Sequence, residues 1–246
     1  MILPKPEDAK HKYQMYRLLT AILSDNSLAN KLYFKGGTCA SLRGILDRFS
    51  VDLDFDLVDG AARIELRPLL GKVFTDLGLT IKDQSRQHLQ FFLKYEAPAW
   101  QRNTIKLEIN DQVSPKNTYE SLNLLELHLY CQAQTIETMV ANKLYVATAR
   151  FDKNGSIAGR DFYDIRHFLV QGLPVNQAVV EERSGFKYVD YLKKLVVFIQ
   201  ENVTDELLYQ DLNPLLPAVS LKRSLRNLKP EVLGLLNDEI KRKVNT

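Results

Sequence analysis

Cysteine is almost missing from this chain: Cys39 and Cys131 are the only two. They form no pairing motif and have no partners at zinc-ligand spacing, so both are expected to be reduced, buried and inert. No stretch approaches the roughly eighteen apolar residues that a membrane span needs. The opening MILPKPEDAK has no apolar signal core, and a cytoplasmic protein with no membrane partner is expected. A net charge of +3 is too small to define an anionic partner, although it leaves room for a basic groove beside an acidic centre. The four histidines, His11, His88, His128 and His167, are scattered without metal spacing and read as packing or surface residues. Internal repeats and low-complexity tracts are absent. What remains is a chain of 246 residues, 45% hydrophobic and 26% charged, which can bury a sizeable core as one large or two small domains.

Against this plain background the stretch from Lys35 to Val58, KGGTCASLRGILDRFSVDLDFDLV, stands apart. It follows a short apolar, aromatic segment, Leu32, Tyr33 and Phe34, that reads as a strand ending at Gly36-Gly37. Glycines there allow positive φ and let backbone N–H groups approach a phosphate closely, or they make an ordinary tight turn. A small helical stretch follows, then Val51, Leu53, Phe55 and Leu57 alternating with Asp52, Asp54 and Asp56. Strand side chains alternate faces, so the three carboxylates share one side and the other side is core. Nothing within the strand neutralises them. A bound divalent cation accounts for the pattern, and so does a solvated acidic face.

Elsewhere in the first half, residues 7–24 read as a helix with an apolar face of Tyr13, Tyr16, Leu19, Ala21, Ile22 and Leu23, and residues 61–77 as another that Pro68 kinks or breaks. Alternating runs at about 79–84, 88–95 and 103–110 read as strands, the last two paired as a hairpin. In TIKLEIND, Ile105, Leu107 and Ile109 face one way while Lys106, Glu108 and Asn110 face the other. A loop signal at Ser114-Pro115-Lys116-Asn117 precedes a leucine-rich run, Leu122 to Leu129, that fits strand or helix.

From Thr135 the period becomes helical, with Ile136, Met139, Val140, Lys143, Leu144 and Ala147 on one stripe. Lys143 either points inward, where it needs a carboxylate or a ligand phosphate, or snorkels to solvent at the stripe's edge. Arg150 lies near the same face. A second helix opens with RDFYDI, in which Asp161, Asp164, Ile165 and Phe168 share a side. The remainder is mainly helical, clearest from Tyr188 to Ile199, broken at Pro174, Pro214 and Pro217. Its basic cluster, Lys222, Arg223, Arg226 and Lys229, reads as solvated surface or as a track for a nucleic-acid backbone.

The order strand, Gly-Gly-Thr, helix, Asp-x-Asp resembles the nucleotidyltransferase superfamily that includes DNA polymerase beta, and the wording KGGTCASLRGILDRFSVDLDFD most resembles the AbiEii/AbiGii toxin family. KLYVATAR and RDFYDIRHF resemble that family's later motifs. The resemblance implies an α+β fold: a mixed sheet flanked by helices as nucleotidyltransferase core (residues 1–125), then a mainly helical region (residues 126–246) completing the cleft. It implies Mg²⁺ on Asp52, Asp54 and Glu108, the last as third carboxylate. Lys35, Gly36, Gly37, Thr38, Arg150 and Asp161 would meet the nucleotide, and Lys143 and Asp164 would join Asp52 and Asp54 as catalytic residues. Asp56 is then an extra acid. The implied reaction moves a nucleoside monophosphate from a nucleoside triphosphate to an acceptor, releasing pyrophosphate. RNA, as transfer RNA, is the implied acceptor, in a toxin or phage-defence setting with a cognate antitoxin protein. Transfer to a small molecule or protein, and a catalytically silent binding relative, are the alternatives.

Overall fold

The computed structural model describes residues 1–58 and 63–245, which fall into two compact units. The first comprises residues 1–113 and 118–134. Its elements are α1 (Asp8–Ser24), α2 (Asn26–Ala29), β1 (Leu32–Lys35), α3 (Gly36–Leu42), β2 (Asp52–Leu57), α4 (Arg63–Asp76), β3 (Thr80–Gln84), β4 (Leu89–Lys94), β5 (Thr104–Asn110), β6 (Tyr119–Leu124) and β7 (Leu129–Gln134). The seven strands form one mixed sheet in the order β3-β4-β5-β2-β1-β7-β6. β2 lies at its centre, parallel to β5 and antiparallel to β1.

Strand alternation sorts the side chains as the sequence implies. Leu32 and Phe34 of β1, Leu53 and Phe55 of β2, Leu107 and Ile109 of β5 and Leu89 and Phe91 of β4 are all buried on one face. Phe34 and Phe55 stack across the strands with centroids 5.3 Å apart, and Phe74 of α4 meets Phe91 edge-on at 5.2 Å. The buried face of α1 is His11, Met15, Leu18, Leu19, Ile22 and Leu23. Tyr13, expected on that face, is instead 61% exposed, where Arg17 stacks over its ring. α4 runs through Pro68 without a break; Ala61 and Ala62, expected in this helix, lie outside the described residues. The β4–β5 hairpin is present. The leucine-rich run resolves into β6, a 3₁₀ turn (Leu125–Leu127) and β7, with His128 left-handed between them at φ 53°. Because β7 pairs with both β1 and β6, residues 126–134 belong with the sheet and not with the helices that follow.

The second unit comprises residues 114–117 and everything from Thr135. It contains α5 (Ile136–Asn154), α6 (Gly159–Val170), α7 (Gln177–Ser184), α8 (Tyr188–Asn202), α9 (Asp205–Leu212) and α10 (Ala218–Val244). Met139, Val140, Leu144 and Ala147 of the predicted stripe are buried. Gly159 is required where α6 meets α9: an added Cβ would lie 3.2 Å from Leu207 O. In the basic cluster, Lys229 donates to the carbonyls of Gln200 and Val203 at the end of α8, a structural cap, while Lys222, Arg223 and Arg226 are exposed.

On the sheet's polar side Asp56 is fully buried, and its charge is offset within the fold. Oδ1 accepts from Lys35 Nζ at 2.6 Å and Asn110 Nδ2 at 3.5 Å; Oδ2 accepts from Tyr119 OH at 2.9 Å and Gln134 Nε2 at 2.6 Å. Four strands, β1, β5, β6 and β7, thus converge on a residue of β2. Truncating such a group strands buried donors and a cation, so Asp56→Ala should cost about 3 kcal/mol of folding stability. An unfolding free energy from urea titration that falls by less than a quarter of that amount would show the network to be dispensable.

Candidate active site

The glycine turn is shaped by the protein's own packing. Gly36 has φ +79°, and a Cβ on it would overlap the Asp54 carboxylate, whose own Cβ is 2.9 Å from that position. A Cβ on Gly37 would lie 2.5 Å from Arg48 Nη2 and 3.2 Å from Ser50 Oγ. Arg48, Phe49 and Ser50, the lead into the acidic strand, therefore sit directly against the turn; Arg48 is buried and its Nη1 donates to Phe49 O at 3.0 Å. The Thr38 hydroxyl, expected at the phosphates, is fully buried. It donates to Asp52 O at 2.5 Å and lies 2.8 Å from Ser50 Oγ, because the residue falls on the inward side of α3. Lys35, also expected at the nucleotide, is instead drawn onto Asp56 by that buried charge.

Asp52 and Asp54 keep partial exposure on the polar face. The β2–β5 register sets Asp54 beside Glu108 and Asp52 beside Lys106, and the β1–β2 register sets Lys35 on the other side of Asp54. Protein closely surrounds the Asp54 carboxyl. That enclosure, then the charges of Asp52 and Glu108, push it up to about 6, against the opposing pull of Lys35 and Lys106. Glu108 shifts the other way: burial alone would raise it, but the charge and hydrogen bond of Lys106 and the Gln90 amide hold it below the usual range. Its carboxylate rests on Lys106 Nζ and accepts from Gln90 Nε2 at 3.4 Å. Accordingly, no three His, Cys, Asp or Glu side chains among the described residues are gathered to hold a metal ion. As donors, Asp52 and Asp54 suit a hard divalent cation; Glu108 suits it only after leaving Lys106.

Two neighbours of this face gave no signal in the sequence. Lys106 read as one more polar strand residue. His11 is buried in α1, its Nε2 donating to Val51 O at 2.9 Å and its Nδ1 lying 2.8 Å from Tyr95 OH. It thereby holds the carbonyl just before Asp52, and burial pushes its imidazole down to about 4.

In the second unit Lys143 points inward to carboxylates, one of the partners its place on the stripe required. Its Nζ is 2.8 Å from Asp161 Oδ1 and 2.9 Å from Asp164 Oδ2, with both acids essentially buried. Arg150 Nη1 is 3.4 Å from Asp161 Oδ2, an ion-pair distance, yet that oxygen has no hydrogen-bond partner. The sequence pattern of α5 and α6 thus correctly brings Lys143, Arg150, Asp161 and Asp164 together.

Solved structures share this fold. A protein from H. pylori described as a nucleotidyltransferase has 21% identity and a TM-score of 0.58, over 98% of this chain and 97% of its own. An antigenic nucleotidyltransferase-like protein from Paracoccidioides brasiliensis has 18% identity and a TM-score of 0.50, over 87% of this chain and 98% of its own. A comparison with curated proteins finds no match. Residues 17–233 match the family model "Nucleotidyl transferase AbiEii toxin, Type IV TA system", so the chain belongs to the AbiEii family. It is a nucleotidyltransferase of a type IV toxin–antitoxin family. Among the described residues no helix is long and apolar enough to cross a membrane.

Two measurements test this electrostatic picture without any ligand. Lys143 offsets two buried carboxylates, so Lys143→Met should lose about 3 kcal/mol of stability even though it keeps the apolar stem. Lys143→Arg, which keeps the charge, should recover more than half of that loss; equal melting of both variants would refute the pairing. For Asp54, the folded protein holds a proton up to about pH 6, above the usual aspartate value of 3.8. Its contribution is complete below the lower value and disappears as pH rises through the upper one. Stability should therefore fall by on the order of 1–2 kcal/mol from this group between those limits. Asp54→Asn should flatten that part of the urea-midpoint profile, and an unchanged slope would contradict the shift.

Proposed function

We propose that this enzyme is a toxin that transfers a nucleoside monophosphate from a nucleoside triphosphate to RNA, with tRNA as acceptor. It works with Mg²⁺ in the cytoplasm and is restrained by a cognate antitoxin protein. The observation that carries the reading is the pair Asp52 and Asp54, which face one side of β2 with Gly36 packed against Asp54. The family match supports it, since residues 17–233 include the glycine turn, the acidic strand and the Lys143–Asp164 segment.

Asp52 and Asp54 would hold the Mg²⁺, with Glu108 as third ligand, and the ion's charge would offset the negative charge that develops on the phosphates in the transition state. Backbone N–H groups at Gly36-Gly37 would seat the phosphates, a role left to them because the Thr38 hydroxyl is turned inward. Lys35 acts from behind, offsetting the buried charge of Asp56 so that this acid is not drawn into the site. Asp52 would orient an acceptor hydroxyl and accept its proton as that oxygen attacks the α-phosphorus and pyrophosphate leaves. In the second unit we assign Lys143 and Asp164 to catalysis and Arg150 and Asp161 to the nucleotide, on the strength of the family's later motifs. The bare Asp161 Oδ2 has acceptor capacity for a hydroxyl or amino group of the substrate.

Each labelled nucleoside triphosphate, offered with Mg²⁺ and total RNA, should label a band of tRNA size. Asp52→Asn and Gly36→Ala should each lower the rate at least about a hundredfold, the first by loss of a metal ligand and the second by displacing Asp54. Label that enters only small molecules or proteins would move the acceptor class, and full activity of Asp52→Asn would remove the assigned metal site.

A further inference from the structure

The polar face of β1, β2 and β5 carries Asp52, Asp54, Asp56 and Glu108 against only Lys35 and Lys106. Lys35 is taken by Asp56, and Lys106 by Glu108. Both of these ammonium groups are thus engaged by Asp56 and Glu108, while Asp52 and Asp54 together carry the charge that one divalent cation would offset. The register places Lys106 in the row of Asp52 and Glu108 in the row of Asp54, two residues apart on the same side of β5. At that spacing the lysine reaches along its own strand to the glutamate. Gln90, opposite Glu108 on β4, donates to the same carboxylate oxygen that Lys106 holds.

We propose that Lys106 is an internal competitor of the metal: its ammonium holds Glu108 off the site, and a divalent cation gains its third protein ligand only by displacing it. This rests on Asp52 and Asp54 being the metal ligands. A carboxylate cannot serve an ammonium and a divalent ion through the same oxygen, so the two states exclude each other. The enzyme without nucleotide then keeps its acids balanced and binds metal weakly. The cost of breaking the Lys106–Glu108 pair is charged to the metal's affinity.

The test is Mn²⁺ titration of the nucleotide-free protein, with free ion read by electron paramagnetic resonance, so that no activity is involved. Lys106→Met should tighten Mn²⁺ binding about tenfold, and Glu108→Gln should weaken it. The decisive comparison is the double variant. Removing any nearby positive charge favours a cation, but that general effect persists when Glu108 is glutamine. Competition for Glu108 does not. Lys106→Met in the Glu108→Gln background should therefore tighten binding by less than about threefold. Lys106→Gln, polar and shorter, serves as a second neutral variant and should behave as Lys106→Met does. Equal tightening in both backgrounds, or none in either, overturns the proposal. Failure of the underlying metal reading looks different: Asp52→Asn would then bind Mn²⁺ as well as the wild-type protein does.

Discussion

Asp52 and Asp54 on one strand and Glu108 on the next bring three like charges onto one patch of sheet, and such a patch forms only if its repulsion is offset. The protein offsets it with two lysines that never sit between the acids. Lys35 reaches from β1 to Asp56, and Lys106 reaches along β5 to Glu108. The elevated Asp54 carboxyl reflects its enclosure by protein first, and the repulsion that remains from Asp52 and Glu108 second. Everything else about the first unit is compatible with keeping this patch in place: a thick apolar core under β2, β5 and β4, and a buried Asp56 that draws donors from four strands.

The second unit meets the same difficulty with a different solution. Asp161 and Asp164 stand one turn apart on α6, and a single ammonium, Lys143, bridges them from α5. Here the acids are nearly dry, so the lysine matters more to the fold than an exposed one would. The arrangement is still incomplete, because Asp161 Oδ2 is buried without a donor. A buried acceptor without a hydrogen bond is costly, and the Arg150 guanidinium at 3.4 Å offsets part of that cost through charge.

Much of this was legible in the sequence, for a definite reason. Period two in DLDFDL and TIKLEIN and the helical stripe through Lys143 are local patterns, and local geometry alone turns them into faces. The carboxylate set, the glycine turn and the meeting of Lys143 with Asp161 and Asp164 follow from such faces. What the sequence did not show is mostly what lies across from a residue. Lys35 beside two glycines looked like a phosphate ligand, but its partner Asp56 is twenty-one positions away and meets it only through the antiparallel register. The inward turn of Thr38 depends on Ser50 and on the carbonyl of Asp52. The leucine run fitted two periods equally, and only pairing with β1 makes its second half a strand. His11 gave no signal, since a histidine in a helix announces nothing about a carbonyl forty residues on.

The buried hydroxyl of Thr38 also clarifies why the turn and the acids occur together. Its bond to the Asp52 carbonyl ties the first turn of α3 to the start of β2, and His11 fixes the preceding carbonyl from α1. Asp54, two residues on, is seated against a glycine with no room for a methyl group. The distance from the turn to the carboxylates is thus set by core contacts made before any ligand arrives. For a reaction that depends on placing a triphosphate against acids within a few tenths of an ångström, such preorganisation is worth more than an additional hydroxyl at the phosphates. A threonine in this place fixes that geometry, its hydroxyl engaged by the Asp52 carbonyl.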